Sequence, residues 1–437
     1  MLGFGSCQRF ALRNCVSFIV AFSLLKPTNL AIAQDASTSE TQDNAAAKTL
    51  LANASSDLHL GPFDLHPRLS AGMTYDDNLL FSTTEKETDV EWMIQPALQA
   101  VAGDDAALIA YRDQNNNVFS LSPGSLIIQD PDNRPGELLI MDYAPRFQFF
   151  DKYTANNFIN EFATVDFLWP MDKLILECKQ DYQLVNTMVI EANQRSTIET
   201  IPTTFSAAYQ FGEKTSMECD LRRISVGYDQ PGLTGYTEYN TETWFNYQVD
   251  PNLHASLGAL AGWDIVVGHQ DQTYEQLRAR VRNSYTYKLT FDVSVGGELR
   301  QYENGNPETL SPVFDIAGQY QLGERTSLRL AGYRQLYAAV FDGYNYTMTG
   351  VTLDVQQGIT DRFTADLGLG YNSVSFVAVN NPSTTHPEGY YSARITLNAK
   401  IVSHLKGQVF YQMLNRQSQV DGSLNDNQAG VQFAWSF

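Results

Sequence analysis

The chain has 437 residues, 43% hydrophobic and 12% aromatic, with 29 basic against 49 acidic side chains and a formal charge of −20. That balance argues against a nucleic-acid partner, whose phosphates call for basic patches. A mean hydropathy of −0.27 gives no spanning helix, yet it is compatible with spanning strands, which dilute each lipid-facing residue with a lumen-facing polar one.

At the N-terminus, Arg9 and Arg13 form a positive n-region, Val16 to Leu25 a short apolar run, and Ala31-Ile32-Ala33 an A-x-A cleavage site. Residues 1–33 therefore read as a secretory signal peptide, too short in its apolar part to span a bilayer. Its loss removes Arg9, Arg13 and Lys26, leaving 26 basic against 49 acidic residues, a balance of −23. Residues 34–60 are rich in Ala, Ser, Thr, Asp and Asn without alternation, and read as a disordered periplasmic lead-in.

From residue 61 to 437 apolar residues recur at every second position, the period of a strand with unlike faces. Strands are expected at 67–80, 89–101, 138–150 and 157–169, and then in pairs to 428–437. Short turn segments at Pro170-Met171-Asp172, Gly212-Glu213-Lys214, Asp250-Pro251-Asn252, Tyr287-Lys288, Gly323-Glu324-Arg325, Thr360-Asp361-Arg362 and Val402-Ser403-His404 are spaced about 36–42 residues apart, one long hairpin each. Longer Gly/Pro/Asn-rich loops, such as Asn304-Gly305-Asn306-Pro307 and Asn380-Asn381-Pro382, lie between them. A propeller blade has a similar period but four short strands. These strands are about twice the usual five or six residues, and match the 9–11 tilted residues that cross a bilayer.

The expected fold is all-β, a transmembrane antiparallel barrel of about 18 strands with both termini periplasmic, 16 to 20 being the range. The segment 103–137 sets that range. Leu108 to Tyr111 and Leu126 to Ile128 could add a hairpin, but Pro123, Pro131 and Pro135 favour an insert or plug.

The faces separate directly. From Leu289 the outer set is Leu289, Phe291, Val293, Val295, Gly297 and Leu299, against Thr290, Asp292, Ser294, Gly296, Glu298 and Arg300 inside. Cys7 and Cys15 leave with the leader; Cys178 and Cys219 fall on lipid-facing positions two strands apart. Two strand spacings are about 9–10 Å, beyond the roughly 7 Å Cα limit for a disulfide.

The last strand alternates Val431, Phe433, Trp435 and Phe437 with Gln432, Ala434 and Ser436. It resembles the C-terminal signal by which outer-membrane barrels are recognised for insertion, with Trp435 and Phe437 as the assembly residues. Near the start, Leu60-Gly61-Pro62-Phe63-Asp64-Leu65-His66-Pro67 leads into Ser70-Ala71-Gly72-Met73-Thr74-Tyr75-Asp76-Asp77-Asn78, and Gln95-Pro96-Ala97-Leu98 follows. This combination resembles the outer-membrane β-barrel family called β-barrel porin 2. The resemblance implies a bacterial outer-membrane location, lipids and the barrel assembly machinery as partners, and a link of some members with exopolysaccharide secretion components. It brings no catalytic residues.

The residues themselves offer no enzyme signature: the six histidines are scattered, and neither a G-x-S-x-G elbow nor a P-loop occurs. Neither a metal site nor a cofactor is expected. Charge inside the barrel is more informative. Arg278, Arg280 and Arg282 share a face opposite Leu277, Ala279 and Val281, and a charge on the lipid face at midplane costs about 2–4 kcal/mol, so the ladder should point inward. A turn centred on Tyr287-Lys288 is expected to set Glu298 near Arg278 and Ser294 near Arg282. Arg300, Arg329, Arg394 and Lys400 share the inward register, as do Asp315 and Asp366. The set reads either as a salt-bridged wall or as a guide for anions or sugars. Tyr209, Phe211, Tyr247, Tyr285, Tyr287, Tyr320, Phe363, Trp435 and Phe437 suit an interfacial girdle near the short turns, whereas lumen candidates such as Tyr274 and Tyr346 are too few for a lumenal aromatic slide.

The leading functional expectation is a porin-like channel for passive transport of small polar solutes. The alternatives are a non-conducting structural or polysaccharide-export-associated barrel, and an outer-membrane hydrolase.

Overall fold

The computed structural model describes residues 58–436 apart from 104–135, 190–191, 193, 268–270, 287, 304–307, 340–342, 380 and 419–421. The signal peptide, the lead-in up to residue 57, nearly all of the 103–137 segment, Tyr287 and Phe437 lie outside the described residues.

The described residues form twenty strands. The first six are β1 (Leu58–Leu60), β2 (Phe63–Asp76), β3 (Asp89–Gly103), β4 (Leu138–Tyr143), β5 (Arg146–Phe150) and β6 (Phe158–Pro170). Next come β7 (Leu174–Val189), β8 (Gln194–Gln210), β9 (Thr215–Tyr228), β10 (Tyr236–Asp250), β11 (Leu253–Val266), β12 (Gln272–Thr286) and β13 (Leu289–Tyr302). The last seven are β14 (Thr309–Gln321), β15 (Thr326–Ala338), β16 (Tyr344–Gly358), β17 (Phe363–Ala378), β18 (Asn381–Val402), β19 (Leu405–Ser418) and β20 (Gly422–Ser436).

Sequence neighbours pair antiparallel, and β20 returns to β2 from Arg68↔Ser436 to Asp76↔Gln428, which closes the sheet. β4 and β5 both lie between β3 and β6 and act as one interrupted stave. The break falls at Ala144-Pro145, because Pro145 has no N–H to give the ladder. β1 is a short addition to β2 through Leu58↔Leu65. The wall is thus a closed antiparallel barrel of 18 strands. One boundary expectation needs correction: Leu58 to Leu60, assigned to the disordered lead-in, are strand, paired to Phe63–Leu65.

Alternation sorts the side chains between two environments. Leu257, Leu277 and Val295 are 65%, 69% and 52% exposed on the outer face, while their polar neighbours Ser256, Gln276 and Ser294 are buried inside. Exposed aromatics ring the outer face at both ends. Tyr209, Phe211, Tyr247, Tyr320, Phe363 and Trp435 lie at the short turns, and Tyr75, Trp92, Tyr239 and Trp263 near the long loops. Two such girdles flank the apolar band of a membrane barrel.

Register depends on the turns. A two-residue connection between Thr286 and Leu289 would set lumen-facing residues against outward-facing ones, so one strand must take an extra residue. The incoming strand takes it, between Asn283 and Thr286. The same shift occurs on the incoming strand between Gln248 and Asp250 and between Lys400 and Val402. The expected pairing amounted to putting it on the outgoing strand. The observed partners are therefore Gln276↔Glu298, Arg278↔Gly296 and Arg282↔Asp292, which corrects Glu298 beside Arg278 and Ser294 beside Arg282 by two residues.

Candidate functional site: the lumenal wall

The inner face of β9–β13 is a buried network of charge. On β12, Arg280 donates to Glu218 Oε1 and Asn246 Oδ1, each at 2.9 Å, so it spans three staves to reach β9. Arg282 donates from Nε to Asp292 Oδ2 at 2.8 Å on the neighbouring strand. Arg278 is half-buried opposite Gly296, in electrostatic reach of Asp315. On β13, Arg300 is 2% exposed and gives Nε to Glu298 Oε1 and Nη1 to Asp264 Oδ2, both at 2.8 Å. The same guanidinium reaches Gln272 Oε1 at 3.1 Å and the carbonyl of Leu336 on β15 at 3.1 Å. Buried charges persist where they are paired and hydrogen-bonded. Arg329 faces Asp354 across one rung and is exposed; Arg394 reaches Thr396 Oγ1 at 3.3 Å and Gln412 Oε1 at 3.4 Å.

One packing arrangement recurs under three of these arginines. Arg280 lies 4.2 Å over Trp244, Arg300 4.5 Å over Tyr274, and Arg394 4.9 Å over Phe410. Each ring in turn lies flat on a cross-strand glycine, namely Gly258, Gly262 and Gly430. A Cβ at Gly258 or Gly430 would sit 2.5 Å from the ring it faces. Glycine makes room for the ring, and the ring presents its negative face to the guanidinium. Sequence reasoning missed this because the partner of each ring depends on register; a glycine at a lumen-facing position was the available signal.

Towards the long-loop rim, aromatic side chains gather on the inner face. Tyr333, Tyr337, Tyr346, Met348, Val374, Phe376 and Tyr390 form a buried cluster on the inner face of β15–β18. Phe81, at φ 49° in the loop after β2, packs against it. Lumenal aromatics are thus more numerous than expected from candidates such as Tyr274 and Tyr346. Gln272 on β12 and Asn345 on β16 exchange hydrogen bonds of 3.0 and 2.9 Å across three intervening staves, so the wall bends sharply between them.

The Tyr75-Asp76-Asp77-Asn78 motif also finds a physical role: it latches the seam between the first and last staves. Asp77 accepts from Asn427 N and Nδ2, each at 2.8 Å, and from Lys86 Nζ at 2.9 Å. Asn78 is fully buried and holds the carbonyls of Ser82 and Asn425 and the N–H of Ser82. Burial alone would raise the Asp77 carboxyl, but the hydrogen bonds from Lys86 and Asn427 outweigh it and hold that group below the usual carboxylate range. Asp76, Asp77 and Asp426 bring carboxylate oxygens within 4.8 Å of one another, the one group among the described residues with a cation-holding geometry; no histidine belongs to it.

At the other rim Val101, Leu138, Ile140, Leu168, Ile175 and Ala208 form an apolar patch on the inner face. Cys178 and Cys219 lie on β7 and β9, with β8 between them, and are not joined in a disulfide. Trp435 is exposed on the outer face, opposite Leu69 and Leu405.

No family model matches the chain, and no curated protein matches it. Among solved structures, the outer-membrane channel DcaP of Acinetobacter baumannii is 11% identical, over 88% of this chain and 100% of its own, with a TM-score of 0.45. OccAB4 of Acinetobacter baumannii is 9% identical over 85% of this chain and 98% of its own, also at 0.45. The siderophore receptor PirA of Pseudomonas aeruginosa is 8% identical over 85% and 80%, at 0.43. Likeness at this level assigns no function.

Proposed function

We propose that this chain is a transmembrane barrel of the bacterial outer membrane that passes small polar solutes passively, with both termini on the periplasmic side. The observation that carries the reading is the sorting of side chains in a closed barrel: large apolar residues are exposed around the outside, and arginines, carboxylates and amides line the inside. Only a lipid surround makes that outer face favourable at this extent, since soluble proteins rarely expose apolar patches beyond a few hundred Å². An 18-strand closure leaves an aqueous channel unless something fills it. The finer placement, in the β-barrel porin 2 family, rests on the motif at Tyr75–Asn78 and on the aromatic last strand. We read the chain as a channel rather than a hydrolase, because the buried carboxylates Glu218, Asp264 and Glu298 are held by arginines.

A second reading is favoured by the Gln272–Asn345 bridge and the aromatic cluster, which fill part of the lumen: a barrel that does not conduct. Single-channel recording of the purified, refolded protein in planar bilayers decides between the two. Stepwise conductance increments are expected. A folded, inserted barrel without current would sink the channel reading and leave the non-conducting one.

A further inference from the structure

Every arginine of the β9–β13 wall described above has a carboxylate within reach, as expected for a chain in which acids outnumber bases by 49 to 29. Two lysines break that pattern. Lys400 on β18 and Lys406 on β19 are direct cross-strand partners on the inner face, two positions from the short turn that joins the strands. Like charges directly opposite are destabilising in a sheet. Among the described residues neither lysine meets a carboxylate. Two acids of the neighbouring strand and turn are occupied: Asp366 accepts from Asn398 Nδ2, and Asp361 pairs with Arg325 at 2.7 Å. Beyond Lys406 the next strand offers Ala434, and Ser70 follows on β2. The backbone of the preceding short turn adjoins the pair, since the N–H of Lys400 donates to the carbonyl of Arg362, an exposed residue. Asn398 and Gln408, the next inward rung, add only neutral polar groups.

We propose that Lys400 and Lys406 form an oxyanion-binding site at the short-turn mouth of the lumen, taking the phosphate or carboxylate group of a small solute between two ammonium groups. An anion there converts a repulsive pair into two attractive ones, and the exposed position of Lys400 keeps the site open to water. The site rests on the lumen being solvent-filled at this end, as the channel reading has it, but not on the whole path conducting. It also moves the locus of anion recognition away from Arg278, Arg280 and Arg282, where Glu218, Asp292 and Asp315 already supply the counter-charge.

The test uses the full mature barrel, folded in detergent for calorimetry and inserted in planar bilayers for reversal potentials. Inorganic phosphate, succinate and chloride serve as separate probes. Wild-type protein is expected to bind phosphate in the millimolar range and chloride more weakly, with succinate reporting whether a carboxylate suffices. Replacing both lysines (K400Q/K406Q) should weaken phosphate binding by at least about ten-fold and move the reversal potential towards cations. K400E puts an ion pair where the repulsion was, so it should fold at least as well and also lose phosphate; it carries the test if the double variant does not fold. Phosphate binding within about two-fold of wild type in either folded variant overturns the site. Phosphate binding without any current would retire the channel reading and leave the site standing; current without phosphate binding would do the reverse.

Discussion

Arg300 offers the sharpest test of how this wall is held together. Its guanidinium is 2% exposed and meets two carboxylates, Asp264 and Glu298, at 2.8 Å each. Charge-assisted hydrogen bonds contribute about 1.5–3 kcal/mol each, so losing two predicts about 3–6 kcal/mol. Stranding one partner of a buried pair independently gives about 3–5 kcal/mol. Arg300→Met keeps an unbranched side chain of similar volume that ends at the level of Nε, so the loss should report mainly the missing charge and its hydrogen bonds. Because the cost lies in the stranded carboxylates, neutralising them as well (R300M/D264N/E298Q) should restore stability to within about 1 kcal/mol of wild type. Urea unfolding of barrels refolded into phospholipid vesicles, followed by tryptophan fluorescence and by the heat-modifiable gel shift, measures both steps. A loss below about 1 kcal/mol for R300M, or a triple variant no more stable than the single one, would refute the account of a buried, mutually dependent cluster.

Other expectations follow the same physics. Asn78→Ala leaves the N–H and carbonyl of Ser82 and the carbonyl of Asn425 without their partner; at about 1 kcal/mol each, the seam should weaken by about 2–4 kcal/mol, read as a lower urea midpoint. Asp77 is held below its ordinary range, so its contribution is complete above about pH 4 and is lost as pH falls through the lower folded value. Urea midpoints between neutral and acid pH should show that loss in wild type and lack it in D77N. Arg280→Gln strands Glu218 and should destabilise by about 3–5 kcal/mol while shifting reversal potential towards cations. R280Q/E218Q removes both charges and should leave the reversal potential unmoved; a shift in that pair would mean Arg280 acts on the permeating ion directly. Cysteines placed at Pro231 and Glu308 should label from outside intact cells, whereas those at Lys214 and Arg325 should not, and the opposite pattern would invert the proposed orientation.

The period-2 pattern by itself determined the barrel. Alternation such as Leu289, Phe291, Val293 against Thr290, Asp292, Ser294 is a local property, and a strand has only two faces to offer. The same locality made the short turns and the paired staves legible, since each hairpin joins neighbours in sequence. Where a proline or a bulge intervened, legibility failed. Pro145 splits one expected strand in two, and the extra residue before Thr286 moves Glu298 from Arg278 to Gln276. A single residue on one side of a turn or the other leaves the alternation intact on both strands, so composition and periodicity carry no trace of the choice.

What only the tertiary structure decided is which lumenal charges neutralise which. Inward direction was readable for Arg280 and Arg300, but their partners Glu218 and Asp264 lie 62 and 36 residues away in sequence. They meet because the concave face of a closed sheet brings long side chains from non-adjacent strands together. The meaning of Tyr75-Asp76-Asp77-Asn78 was hidden for the same reason, since its partners Asn425, Asn427 and Gln428 stand at the other end of the chain. Closure is a global condition: which residues flank the seam depends on the number and register of every stave between them, and no window of sequence contains that sum.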